Sequence, residues 1–141
     1  MREFFDTSVL VAAFWGGHRD HAASVKLLGA ANKKQSACAM HTLAEVYAAM
    51  TALPIRPILP PEQVMLFVQE VRDRLTLVPL DESEYFETIQ QAANAGFTSG
   101  RVYDALLLRC AVKVKAQTIY TWNLKHFQAI APALEIGRAH V

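Results

Sequence analysis

The stretch Glu3-Phe4-Phe5-Asp6-Thr7-Ser8-Val9-Leu10-Val11-Ala12-Ala13-Phe14-Trp15-Gly16-Gly17 passes from a short apolar run to a helical pattern across a single acid. Glu3-Phe4-Phe5 reads as a strand that ends at Asp6-Thr7-Ser8, residue types that cap a helix N-terminus well. The helix that follows, from about Ser8 to Trp15, stops at Gly16-Gly17. The rest of the chain continues this alternation.

Helical spacing predicts a second helix from Asp20 to Ala31, with Ala23, Leu27, Leu28 and Ala31 on one stripe. Gln35 to Ala39 is a candidate strand. Helices are expected over Thr42–Leu53 and Glu62–Arg74, separated by the proline-rich loop from Pro54 to Pro61. Pro61 suits the first turn of a helix. Leu75 to Leu80 reads as a strand, and Ser83–Ala95 as a helix closed by Gly96. Thr98-Ser99-Gly100-Arg101 is a loop, followed by a helix over Val102–Lys115 and a strand over Thr118–Thr121. A short helix from Leu124 to Ile130 ends before Pro132, and Leu134-Glu135-Ile136 is a candidate edge strand. Strands alternating with helices imply an α/β sandwich with a mainly parallel sheet, because parallel strands need helical crossovers. Sites in such sheets form beyond the carboxyl ends of strands. Asp6 stands at one such end, and the segment after Tyr120 at another.

With 141 residues the chain is expected to form a single domain over 1–141. Its 52% hydrophobic and 19% charged content fits a globular protein. The slightly high apolar share is compatible with surface hidden in a partner. A net charge of +1 announces no bulk affinity for nucleic acid, although a local basic rim remains open. Cys38 and Cys110 lie in apolar stretches and read as buried small hydrophobes, with no disulfide and no zinc spacing. The N-terminal apolar run is broken by Asp6, so no signal peptide is expected. No run approaches about 18 apolar residues, so no membrane span and a cytoplasmic location are expected.

Three carboxylates stand where a charge is costly: Asp6 after Phe4-Phe5, Glu45 within Leu43-Ala44-Glu45-Val46, and Asp104 ahead of Ala105-Leu106-Leu107-Leu108. Buried carboxylates require a positive partner or a metal. Each also has an ordinary reading. Asp6 can be a helix N-cap, Glu45 an exposed point on an amphipathic helix, and Asp104 a first-turn acid favoured by the helix dipole.

Taken together, the motifs carry a resemblance. Phe5-Asp6-Thr7-Ser8-Val9-Leu10-Val11 resembles the opening motif of PIN domains. Thr42-Leu43-Ala44-Glu45-Val46 resembles the second, Tyr103-Asp104-Ala105-Leu106-Leu107 the third, and Thr121-Trp122-Asn123-Leu124-Lys125-His126-Phe127 the fourth. The four occur in order and span nearly the full chain, which in length is similar to VapC-type toxins of toxin–antitoxin pairs. The resemblance implies a PIN-like three-layer α/β/α sandwich, Mg²⁺ or Mn²⁺ held by Asp6, Glu45 and Asp104, and endonucleolytic cleavage of RNA. It also implies a homodimer and inhibition by a cognate antitoxin protein.

The chain departs from the family pattern at the fourth motif, where relatives often carry acids near Asn123 and at the position of His126. One lost negative charge should weaken a second cation site, so one well-occupied metal is expected, with a two-metal arrangement as the alternative. Cleavage by in-line attack of water would leave a 5′-phosphate and a 3′-hydroxyl. Thr7, Ser8 and Thr121 can orient waters or a carboxylate beside the metal, or serve only as caps and turns. Asn123 retains hydrogen-bonding capacity. Arg101 and Lys125 flank the expected pocket, as phosphate contacts or as solvated charges. His18 and His21 read as surface residues, His41 as capping or lining the cleft, and His126 as facing substrate without a catalytic role. His140 is terminal. Two rivals stand beside this reading: a catalytically impaired PIN-like binding module, and a hydrolase using Asp6 as nucleophile. The second usually needs an Asp-x-Asp start, where this chain has Asp6-Thr7-Ser8.

Overall fold

A computed structural model describes residues 1–130 and 135–138. The elements are β1 (Glu3–Phe5), α1 (Thr7–Phe14), α2 (His21–Ala30), β2 (Ser36–Ala39), α3 (Thr42–Thr51), α4 (Pro61–Arg74), β3 (Thr76–Val78), α5 (Glu82–Asn94), α6 (Arg101–Lys113), β4 (Thr118–Thr121), α7 (Leu124–Ile130) and β5 (Glu135–Arg138). The strands form one sheet in the order β3-β2-β1-β4-β5, and every pair is parallel. The expected mainly parallel sheet is therefore parallel throughout its described strands.

Successive side chains of a strand point to opposite faces, and the two phenylalanines of β1 use this to found two cores. Phe5 packs with Val9 and Leu10 of α1, Val46 and Met50 of α3, and Val64, Val68 and Val71 of α4. Phe4 packs on the other side with Leu107, Cys110 and Ala111 of α6, Ile119 and Phe127. Ala37 and Ala39 of β2 join the Phe4 side, while Cys38 between them joins the Phe5 side. The result is an α/β/α sandwich. Both cysteines are buried and free, as their apolar contexts predicted, and burial pushes their thiols up to about 12 and about 11.

The chain winds outward from β1 through β2 to β3, then crosses back to place β4 on the free edge of β1. The winding thus reverses between β1 and β4. That reversal opens a crevice at the strands' carboxyl ends, closed at its base by the Asp6 N–H donating to the Tyr120 carbonyl at 3.0 Å.

Most sequence-predicted boundaries fall within two residues of the structure. Pro61 itself opens α4, since its missing N–H is one that a helix start leaves unpaired anyway. A capping box between Asp81 and Glu84 starts α5 one residue earlier than expected. Gly96, at φ +77, ends that helix in a conformation that glycine adopts without strain. Two expectations are corrected at α6. Arg101 is its first residue rather than part of the loop, and the helix stops at Lys113 because Lys115 turns left-handed at φ 55. The expected strand Leu75–Leu80 shrinks to Thr76–Val78, bounded by the helix C-cap at Leu75 and by Pro79, which lacks an N–H. Pro132 and Leu134 lie outside the described residues; Glu135 and Ile136 belong to β5, at the sheet edge beside β4. Among the described residues no helix is long and apolar enough to cross a membrane.

The double core makes β1 the most sensitive strand. Phe4→Ala, at a fully buried position, is expected to cost about 3–5 kcal/mol in urea unfolding. Leu66→Ala on the exposed face of α4 should stay within about 0.5 kcal/mol. Equal effects would show that Phe4 does not anchor the sheet.

Candidate active site

Asp6 leaves β1 into the crevice and is buried, with 5% of its surface exposed. It holds the N-cap position of α1, yet its carboxylate makes no capping bond. Instead, Oδ2 accepts the Ser8 hydroxyl at 2.7 Å and the Thr121 hydroxyl at 2.8 Å. These hydroxyls are themselves fixed by backbone donors: Trp122 N–H to Ser8 Oγ at 3.0 Å, and Asn123 N–H to Thr121 Oγ1 at 2.9 Å. The capping reading of Asp6 therefore fails. One local hydroxyl, from Ser8, and one long-range hydroxyl, from Thr121, hold one carboxylate oxygen, and no described donor is bonded to the other.

Glu45 rises from the first turn of α3, which starts just beyond β2. Its Oε1 accepts the Thr7 hydroxyl at 3.1 Å and lies 3.4 Å from His41 Nε2. Asp104 occupies the first turn of α6, with Oδ2 3.7 Å from His126 Nδ1. The side chains of Glu45 and Asp104 are 34% and 28% exposed. Thus Thr7, Ser8 and Thr121 each donate a hydroxyl to a carboxylate of the cluster. Asn123 contributes its backbone N–H to that network, and the residue itself is exposed.

The three acids share one electrostatic neighbourhood. Burial chiefly raises the Glu45 carboxyl above its ordinary value; Asp6 and Asp104 raise it further, against the Thr7 bond. Burial also leads the rise at Asp104, followed by repulsion from Asp6, with His126 and Arg101 opposing. Among the described residues no Lys or Arg forms an ion pair with any of the three; only the histidines stand beside them. As the side chains stand, no three His, Cys, Asp or Glu of the described residues close into a metal cage. An all-oxygen donor set of this kind, with no described Lys or Arg paired to it, suits a hard divalent cation that retains several waters.

His41 was legible only as a capping or cleft-lining residue. Its ring makes no cap bond and stands between Glu45 and Tyr103, with ring centroids 6.5 Å apart in the latter pair. Burial lowers its basicity, against a backbone bond with Tyr103 and the charge of Asp6. Its i,i+4 spacing to Glu45 was the available signal. His126 faces Asp104, which no local pattern foretold. Arg101 stacks over the Phe97 ring at 4.2 Å and reaches Asp104 only through its field, whereas Lys125 lines a groove beside the cluster. His18 accepts the Asp20 N–H, and His21 opens α2 against the Ala12 carbonyl, both away from the acids.

A three-layer parallel sandwich with three acids gathered at its switch point places the chain among the doubly wound α/β proteins. The family model of the PIN domain matches residues 4–131, and the chain belongs to the PIN domain family. It is 33% identical over 102 residues to ribonuclease VapC40 of Mycobacterium tuberculosis, an alignment covering 72% of each protein. Two solved structures share the fold. Mycobacterium tuberculosis VapC20, described as a sarcin–ricin loop cleaving toxin, matches with TM-score 0.73 at 14% identity, covering 90% of this chain and 94% of that one. VapBC2 of Rickettsia felis, bound to a DNA fragment from its promoter, matches with TM-score 0.65 at 22% identity, covering 98% of both chains.

Because Glu45 and Asp104 are raised, the folded chain holds protons there that the unfolded chain has already released. Stability therefore falls as pH rises from their ordinary values, 4.5 and 3.8, through the raised ones. Asp104→Asn is expected to melt above the wild type at pH 7 in chelator, and the gap should close as pH drops below 4. A variant that melts lower at pH 7 would show that the acids do not repel.

Proposed function

We propose that the chain is a metal-dependent endoribonuclease, the toxin of a type II toxin–antitoxin pair, built as one PIN-like domain over 1–141. The observation that carries this is the gathering of Asp6, Glu45 and Asp104 at the switch point, where among the described residues no Lys or Arg forms an ion pair with them. Membership of the PIN domain family and the likeness to a ribonuclease support it.

In this reading Asp6, Glu45 and Asp104 hold one Mg²⁺ or Mn²⁺, partly through retained waters. The cation supplies charge neutralisation at the phosphodiester and makes a nearby water more acidic. Ser8 and Thr121 fix Oδ2 of Asp6 and so orient the carboxylate that would hold the cation. Thr7 orients Glu45 in the same way. Asn123, without a charge, supplies a hydrogen bond where an acid would draw a second cation. Arg101 and Lys125 offset the charge of phosphates on either side of the cluster. Water attacks in line, leaving a 5′-phosphate and a 3′-hydroxyl. The antitoxin and a second copy are the expected protein partners, for which α4 and α5 offer exposed apolar residues such as Leu66 and Phe86. A cytoplasmic location goes with an RNA target and a protein inhibitor.

A second reading, an impaired PIN-like module that binds RNA or protein without cutting, draws on Asn123 and on the open spacing of the acids. Cleavage of a fluorescent single-stranded RNA separates the two. The wild type should cut with Mn²⁺ or Mg²⁺ and stop in chelator, while Asp6→Asn and Asp104→Asn should each lose about a hundredfold or more. Calorimetry should show Mn²⁺ binding that Asp6→Asn abolishes. Cleavage that persists in chelator and survives Asp104→Asn would remove the metal mechanism.

The supporting hydroxyl gives a milder test. Thr121→Val keeps the shape but removes one donor to Asp6, and about a 10–100-fold fall in activity or Mn²⁺ affinity is expected. Full activity in that variant would make Thr121 merely structural.

A further inference from the structure

A groove of about 610 Å³ opens beside the acid cluster. Arg19 and Asp20, between α1 and α2, form one wall; Trp122, Asn123, Lys125 and His126 form the other. Two contacts join it to the site. The Asn123 N–H donates to Thr121 Oγ1, whose own proton goes to Asp6, and His126 Nδ1 stands 3.7 Å from Asp104 Oδ2. A chain bound with one phosphate at the acids therefore has a neighbouring unit at the groove.

The groove's charge is opposite to that of the cluster. Arg19 is 89% exposed and Lys125 is exposed, so both can turn toward a ligand. The one acid in the wall, Asp20, is 19% exposed and is spanned by the Arg19 guanidinium at 3.5 Å. Its buried Oδ2 presents little surface to a polyanion. Trp122 is held at both ends, its backbone N–H on Ser8 and its indole N–H on the buried Ser24, each at 3.0 Å. Trp122 is partly buried against the Phe5-side core and lines the groove with Arg19, Asn123 and Lys125, a make-up that suits a single-strand subsite. Aromatic rings stack unpaired bases, cations follow the backbone, and amides meet base edges.

We propose that this groove binds one nucleotide flanking the cleaved bond of a single-stranded RNA, with Arg19 and Lys125 on its phosphates and its base against Trp122 beside Asn123. The proposal rests on reading the acid cluster as an RNA-cleaving site, and its test separates the two. A labelled ten-nucleotide single-stranded RNA is titrated in chelator, where cleavage is stopped, at several salt concentrations. The full chain is compared with Arg19→Ala, Lys125→Ala, the double variant, and Lys34→Ala as an exposed control away from the groove.

Each groove cation removed should lower the slope of log affinity against log salt by about 0.7. The double variant should bind about tenfold more weakly at low salt, with an unchanged melting temperature, and Lys34→Ala should match the wild type. A double variant with the wild-type slope overturns the proposal. So does equal loss on single-stranded and duplex RNA, because a subsite for a splayed base must prefer the single strand. A wild type that binds with the expected slope but fails to cut in Mn²⁺ keeps the groove and removes the nuclease. A wild type that cuts, beside a double variant that binds equally well, does the reverse.

Discussion

The carboxylate of Asp6, buried between the two central strands and held through one oxygen by two hydroxyls, is the constraint around which the molecule is arranged. A buried carboxylate is strongly penalised unless hydrogen-bonded or paired. Hydrogen bonds to a charged group contribute about 1.5–3 kcal/mol each, so Ser8 and Thr121 offset part of that penalty. They do so without cancelling the charge. An arginine there would have satisfied Asp6 permanently and closed the site to any cation. Neutral donors direct the carboxylate without setting an opposing charge beside it.

Strand order brings the other acids to the same end. The reversal of winding between β1 and β4 sets Asp6 beside Thr121, and parallel pairing puts every strand's carboxyl end on one rim. α3 begins two residues beyond β2 and carries Glu45 in its first turn. α6 presents Asp104 in its own first turn, alongside α3 through the contact of His41 with Tyr103. Acids near helix N-termini are favoured by the peptide dipoles. That favour partly offsets the mutual repulsion seen in the raised carboxyls of Glu45 and Asp104.

What the sequence made legible follows the range of the interaction concerned. Strand β4 and helix α7 begin and end at the expected residues, because alternation and helical spacing are local signals. Arg101 and Lys115 were misplaced by a turn chemistry that no periodicity encodes. At the site, each acid was visible as a costly charge, yet its partner was not. The bond that removes the capping reading of Asp6 spans 115 residues, and the Trp122 indole finds Ser24 across 98. Helical spacing placed Glu45 within reach of His41, whereas His126 beside Asp104 depends on the packing of α7 against α6.

A net charge of +1 describes a molecule of mixed sign and says nothing about segregation. Here the segregation is sharp: three acids repel one another at the switch point, while Arg19 and Lys125 border the adjoining groove. The repulsion that helps raise the Glu45 and Asp104 carboxyls costs the folded chain stability near neutral pH. Natural chains retain local conflicts of this kind where stability is given up for function. The conflict in this fold lies at Asp6, Glu45 and Asp104, and the two apolar layers on either side of Phe4 and Phe5 supply the stability that sustains it.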